Sequence, residues 1–156
     1  MTRSAAMLAL WTLLVGAGIP LIGILNSGMA RSLGNPVAAT AVMFGIAFLA
    51  ASGLTLAFYG LPTFRQIGAA PAISYGAGLV IGFYALSATI LIPRFGTGNF
   101  VAFILIAQLA TAAVIDQFGL FGMARQPMNV AKLAGFALII SGIALVQLTA
   151  SRTVPE

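Results

Sequence analysis

Apolar residues fill this chain in five long blocks, each separated from the next by a short segment of proline, glycine and basic residues. The blocks run about Ala5–Ala30, Val37–Tyr59, Ala70–Ile92, Asn99–Phe121 and Val130–Thr149. Each holds roughly twenty apolar residues, the number that crosses a hydrocarbon core of about 30 Å at about 1.5 Å per residue. With no water in the bilayer to pair backbone groups, each block must satisfy its own hydrogen bonds and is expected to be a helix. The expected fold class is therefore all-α: a polytopic membrane protein of five transmembrane helices, forming a single domain over residues 1–156.

The segments between the blocks carry the right breakers. Gly34-Asn35-Pro36 separates the first two spans, with Pro36 preset for an early helical position. Gly60-Leu61-Pro62 closes the second span, and Pro71 falls in the first turn of the third. Pro93-Arg94-Phe95-Gly96 joins the third to the fourth, and Arg125-Gln126-Pro127 joins the fourth to the fifth. Connections this short make successive helices antiparallel neighbours. The tail from Ser151 to Glu156 reads as polar and frayed. The first block follows Arg3, and Gly28-Met29-Ala30 resembles a cleavage site, but the run exceeds the 7–15 residues usual for the apolar region of a signal peptide. It is expected to stay as a span, and an odd number of spans places the termini on opposite sides.

Composition agrees and removes whole classes of function. The chain is 61% hydrophobic and 6% charged, against about 25% charged in soluble domains. There is no Cys and no His, which rules out disulfides, thiolate nucleophiles and imidazole bases, and leaves no expected metal site or cofactor. The acids are Asp116 and Glu156 alone, too few for a paired-carboxylate site, so an enzyme is not expected. The net charge of +5 does not point to nucleic acid, because the basic residues are scattered singly at span ends.

That scatter is itself informative. Counting loops in order, one side holds Arg3, Arg65, Arg125 and Lys132; the other holds Arg31, Arg94 and Arg152. Orientation in the membrane follows an excess of Lys and Arg on the cytoplasmic side. Four against three offers little to choose by, which predicts insertion both ways up and pairing with an inverted copy.

Inside the spans, polar groups are few. Gln108 lies near mid-membrane in the fourth span with Thr111 on the same face, Tyr84 and Ser87 share a face of the third, and Asn26 lies toward the far end of the first. These are the candidate cavity residues, each able to hydrogen-bond a substrate or, alternatively, a neighbouring helix. Asp116, four-fifths along the fourth span, is either an interface anchor paired with Arg125 or a proton carrier. Pro20 removes a donor within the first span and predicts a kink, structural or at a binding site. Gly78 with Gly82, and Ala137 with Ser141, have the small-xxx-small spacing of close helix packing, within the chain or between copies. Trp11 and Tyr59 fit interface belts or packing.

Three stretches together resemble a known family. They are Pro20…Asn26…Arg31-Ser32-Leu33-Gly34-Asn35-Pro36; Gly82-Phe83-Tyr84…Pro93-Arg94-Phe95-Gly96; and Gln108…Asp116-Gln117-Phe118-Gly119 with Arg125-Gln126-Pro127 and Gly135…Gly142. The arrangement resembles the YdcZ-like family, the half-size branch of the drug/metabolite transporter superfamily, over essentially all five spans. The resemblance implies a multi-pass inner-membrane transporter of a small organic solute, with two antiparallel copies rebuilding a ten-helix architecture. Such families include dual-topology homodimers, pairs of oppositely oriented proteins and fused repeats; the balanced charge count selects the first. The chain departs from the family pattern at Ile22, where Gln is common, and at Gln117, where His is common. Related small exporters use a mid-span carboxylate to exchange protons against cations. The first span here has none, so a neutral or anionic solute is favoured over a cationic one. The alternatives are half of a heterodimer with an oppositely oriented partner and a non-transporting scaffold subunit.

Overall fold

The computed structural model describes residues 3–150 in backbone and 5–148 in side-chain environment. The predicted fraying of the tail and the charge of Arg152 lie outside the described residues, as does the side chain of Arg3. All regular structure among the described residues is helical: α1 (Arg3–Leu33), α2 (Pro36–Phe58), α3 (Phe64–Gly68), α4 (Gly76–Phe95), α5 (Thr97–Phe118) and α6 (Val130–Ala150). Five stretches are long and apolar enough to cross a bilayer: Ala5–Leu33, Pro36–Phe58, Ala72–Phe95, Thr97–Phe118 and Val130–Leu148. They coincide with the five apolar blocks.

Local chemistry sets the ends. Gly34 takes φ 66°, a conformation that costs glycine little, and reverses the chain after α1. Asn35 then caps α2: its side-chain oxygen accepts from the backbone N–H of Val37 at 2.9 Å and of Ala38 at 3.2 Å. Pro36 follows at the first helical position, where its missing donor is not needed. The fourth span stops at Phe118 rather than Phe121, because Gly119 adopts the left-handed conformation and Phe121 follows with φ 57°. α6 is capped by Asn129, whose side chain accepts from the Lys132 N–H at 2.8 Å.

Two details differ from expectation. α4 does not stop before Pro93 but runs through it to Phe95, and Gly96 at φ 85° ends the helix. The connection between the second and third spans is also not plain loop. It contains α3, held by a reciprocal capping box in which Thr63 Oγ1 accepts from the Gln66 N–H and Gln66 Oε1 accepts from the Thr63 N–H. A 3-10 turn over Ala72–Tyr75 follows and leads into α4, with the Tyr75 hydroxyl donating to the Ile67 carbonyl.

The chain divides into two compact units, Met1–Thr97 and Gly98–Glu156. In the first, α1, α2 and α4 pack on one another. Their buried apolar core is small: Ala39 from α2 with Ala85, Ala88 and Ile92 from α4. Gly23 of α1 fits against this group because it has no side chain. A Cβ there would stand 2.3 Å from Ile92 Cδ1 and 3.2 Å from Ala88 Cβ. α1 and α4 therefore run side by side in the same direction, pinned at their C-terminal halves. Elsewhere large apolar side chains lie open, including Leu8, Trp11, Phe48, Phe58, Leu79 and Phe83. Water would not tolerate so much exposed apolar surface, whereas lipid does.

In the second unit α5 and α6 form an antiparallel pair. Phe103 and Ile106 from the first half of α5 face Ile140, Ile143, Ala144 and Leu148 from the second half of α6 across one cleft. At the opposite end Asp116 meets Lys132.

Candidate functional site

The first unit is pinned by one amide. Asn26 is buried in α1, and its Nδ2 donates to Thr89 Oγ1 of α4 at 2.7 Å and to Thr40 Oγ1 of α2 at 3.1 Å. Each threonine spends its own proton on the carbonyl one turn back: Thr40 on Pro36 at 2.9 Å, Thr89 on Ala85 at 2.8 Å. Both hydroxyls are thus left as acceptors, and this fixes which end of the amide faces them. Ser27, next in sequence, lies 2.9 Å from the Thr89 carbonyl and 2.6 Å from the Gly23 carbonyl and donates to this pair. Three helices are joined by polar groups in a region where unpaired polar atoms are costly.

One atom of the junction is left over. Asn26 Oδ1 is buried and accepts no hydrogen bond. Asn26 also stands on the wall of a half-open cavity of about 230 Å³ between α1 and α2. The other walls are Ile22, Leu25 and Met29 of α1 and Met43 and Ile46 of α2. Ile22 lies one turn before Asn26 on the same face of α1.

The remaining candidates are distributed over both units. Tyr84 and Ser87 lie half-buried on α4, in the turns before Thr89. Gln108 and Thr111 are exposed on α5. The structure joins Asn26 to Thr40 and Thr89, two residues that sequence reasoning missed. Their signal was faint: single hydroxyls in apolar runs, each able to satisfy itself within its own helix. A Cβ on Gly78 or Gly82 would meet nothing within 4 Å, and Ala137 and Ser141 are exposed, Ser141 donating to the Ala137 carbonyl at 2.7 Å. Pro20 sits inside a continuous α1.

Asp116 has a partner, but a different one from the expected Arg125. Lys132 Nζ lies 3.9 Å from its carboxylate, with both side chains partly exposed. Lys132 also lies 3.3 Å from Gln126 Oε1, and the Gln126 N–H donates to the Asp116 carbonyl at 2.8 Å. Arg125 instead donates from Nε to the Gln117 carbonyl at 3.0 Å, and Gln117 Oε1 accepts from the Met128 N–H at 2.7 Å. The left-handed turn at Gly119 brings the chain back over the end of α5, so these groups staple the connection. Asp116 and Gln117 both take part in that staple. The cleft at the other end of this hairpin measures about 360 Å³ and has Gln147 as its one strongly polar wall residue.

The sequence that builds these helices matches a family model over residues 7–145, described as "Putative inner membrane exporter, YdcZ". The chain belongs to the YdcZ family. No curated protein and no solved structure matches the chain. As a YdcZ-family member it is a multi-pass inner-membrane protein and a transporter. The YdcZ match runs from the start of α1 nearly to the end of α6, so it takes in the Asn26 junction, its cavity and the Asp116 staple alike.

Proposed function

We propose that the protein exports a small organic solute as a homodimer of two oppositely inserted copies, ten helices in all, by alternating access. The observation that supports this most is the placement of charge. Within the first unit Arg31 and Arg94 stand in the last turns of the parallel helices α1 and α4, while Arg65 stands at the other end, in α3. Arg125 and Lys132 flank the α5–α6 turn, and the only acid inside the described chain is Asp116. Neither side of the membrane gains a decisive excess of positive charge, so both orientations are inserted. Two inverted copies then line a cavity about an axis in the membrane plane, and exchange of the two halves turns it from one side to the other. Gln108, Tyr84, Asn26, Thr111 and Ser87 supply its hydrogen-bonding groups. A neutral or anionic solute is favoured, because no mid-span carboxylate faces a cation and Asp116 is paired with Lys132 near the end of α5.

The chain contains no cysteine, which makes the test direct. Ser4→Cys and Ser151→Cys are introduced separately and probed in intact cells with an impermeant thiol reagent. Partial labelling at both positions is expected. Labelling at one position only would overturn the inverted homodimer and point to an oppositely oriented partner protein.

A further inference from the structure

We propose that the cavity beside Asn26 is a binding site for a small uncharged molecule with an apolar ring and a single N–H or O–H donor. The inference rests on the transporter reading and names the class of solute it handles.

The argument starts from the unpaired acceptor. An amide oxygen shut away from water forfeits its solvation, and native structures rarely leave such an atom alone. The usual rescue, reversing the amide, fails here. Thr40 and Thr89 have committed their protons to Pro36 and Ala85 and can only accept, so Asn26 must give them its NH2 group. The leftover group is therefore an acceptor, and its complement is a donor.

The walls define the rest of the ligand. Ile22, Leu25, Met29, Met43 and Ile46 offer no charge and no further strong hydrogen-bonding group, so an ion would lose its hydration without replacement. At about 230 Å³ the cavity exceeds the roughly 150 Å³ that suffices for benzene in an apolar protein cavity. A bicyclic ring of indole size is the scale that fits. Oδ1 is sealed in this structure, so a ligand in the cavity would reach it only on a parting of the α1–α2 seam. Met29 and Met43, unbranched and readily repacked, stand on the two sides of that seam.

The probe pair is indole and 1-methylindole, nearly equal in shape, of which only the first can donate. The full chain, labelled with methyl-13C methionine and reconstituted in lipid nanodiscs, is titrated with each. Its six methionines serve as reporters, with Met29 and Met43 assigned by single Leu substitutions. Saturable shifts confined to Met29 and Met43 are expected with indole, and about tenfold weaker affinity with 1-methylindole, as the loss of one hydrogen bond to a buried acceptor implies. Ile46→Trp, which fills the cavity and leaves the Asn26–Thr40–Thr89 junction intact, should abolish both. Non-saturating shifts across all six methionines would mean partition into lipid and overturn the site. Equal affinities would overturn the role of Asn26 Oδ1, and binding unchanged by Ile46→Trp would overturn the location. The readout does not depend on insertion orientation. Labelling of a single terminus would sink the inverted homodimer while leaving this site standing.

Discussion

Gly23→Ala, one added methyl, should separate α1 from α4. The new Cβ would lie 2.3 Å from Ile92 Cδ1, more than an ångström inside the contact distance of about 3.5–4.0 Å. It would also lie 3.2 Å from Ala88 Cβ. Ile92 is 7% exposed and Ala88 1%, so the isoleucine tip has little space to retreat into and the alanine has no rotamer to change. Overpacking of this kind costs about 1–3 kcal/mol. Replacing a helical glycine also gains up to about 1 kcal/mol in propensity, so the proper controls are Gly16→Ala and Gly18→Ala in the same helix. Neither control meets any atom within 4 Å, and subtracting them cancels the propensity gain. Stability can be read by SDS titration in mixed micelles, following energy transfer from Trp11, the only tryptophan, to a dye on Ser74→Cys near the start of α4. Gly23→Ala should unfold about 1–3 kcal/mol more easily than Gly16→Ala. Ile92→Val, which deletes the offending Cδ1, should weaken the parent protein by about 0.5–1.5 kcal/mol but strengthen the Gly23→Ala variant. Equal stability of Gly23→Ala and Gly16→Ala would refute the close approach of the two helices.

Thr89→Val keeps the shape but removes the acceptor 2.7 Å from Asn26 and should destabilise the first unit by about 1–2 kcal/mol in the same titration, with Thr89→Ser retaining most of the stability. Asp116→Asn should cost no more than about 1 kcal/mol and leave solute transport in proteoliposomes intact, since the pair with Lys132 is long and partly exposed; loss of transport with normal stability would make Asp116 a proton carrier after all. Gln108→Ala should leave stability within about 0.5 kcal/mol because the side chain is exposed on this chain, yet reduce transport if it lines the shared cavity of the pair.

The five spans were legible because length and apolarity alone dictate a membrane helix, and the Asn35-Pro36 start of α2 was legible from local chemistry. The short α3 carried a readable signal too, Thr63 followed three residues later by Gln66, but it was masked by the proline and glycine around it. What stayed hidden depends on helix rotation. Gly78 and Gly82 have the spacing of a packing motif, yet a Cβ on either would meet nothing within 4 Å, while Gly23 and Ser27, at the same spacing, make the close contacts to α4. Spacing says that a backbone can be approached, whereas the rotation of the helix decides whether it is. The same holds for Asn26. Its depth in α1 was evident from the sequence, but the choice between bonding a helix and facing a cavity was not. The structure has it donating to two helices with its NH2 group, while its oxygen is buried and unpaired and the residue lines a cavity. Asp116 pairs with Lys132 rather than Arg125 because the turn at Gly119 folds the connection back before α6 begins.

The confinement of that polar junction to one end of the first unit has a mechanical consequence. α1 is gripped around Gly23–Ser27, and its residues from Met7 to Val15 touch little else. Sixteen residues separate Gly23 from Met7, about 24 Å of rigid helix at about 1.5 Å per residue. A tilt of about 10° at the grip would therefore swing the free end by roughly 4 Å. Pro20, three residues from the grip, interrupts the hydrogen-bond ladder where such a lever would flex. α1 is thus built as a long arm on a short fulcrum, and a displacement of Asn26 by a fraction of an ångström would act at the point where leverage is greatest.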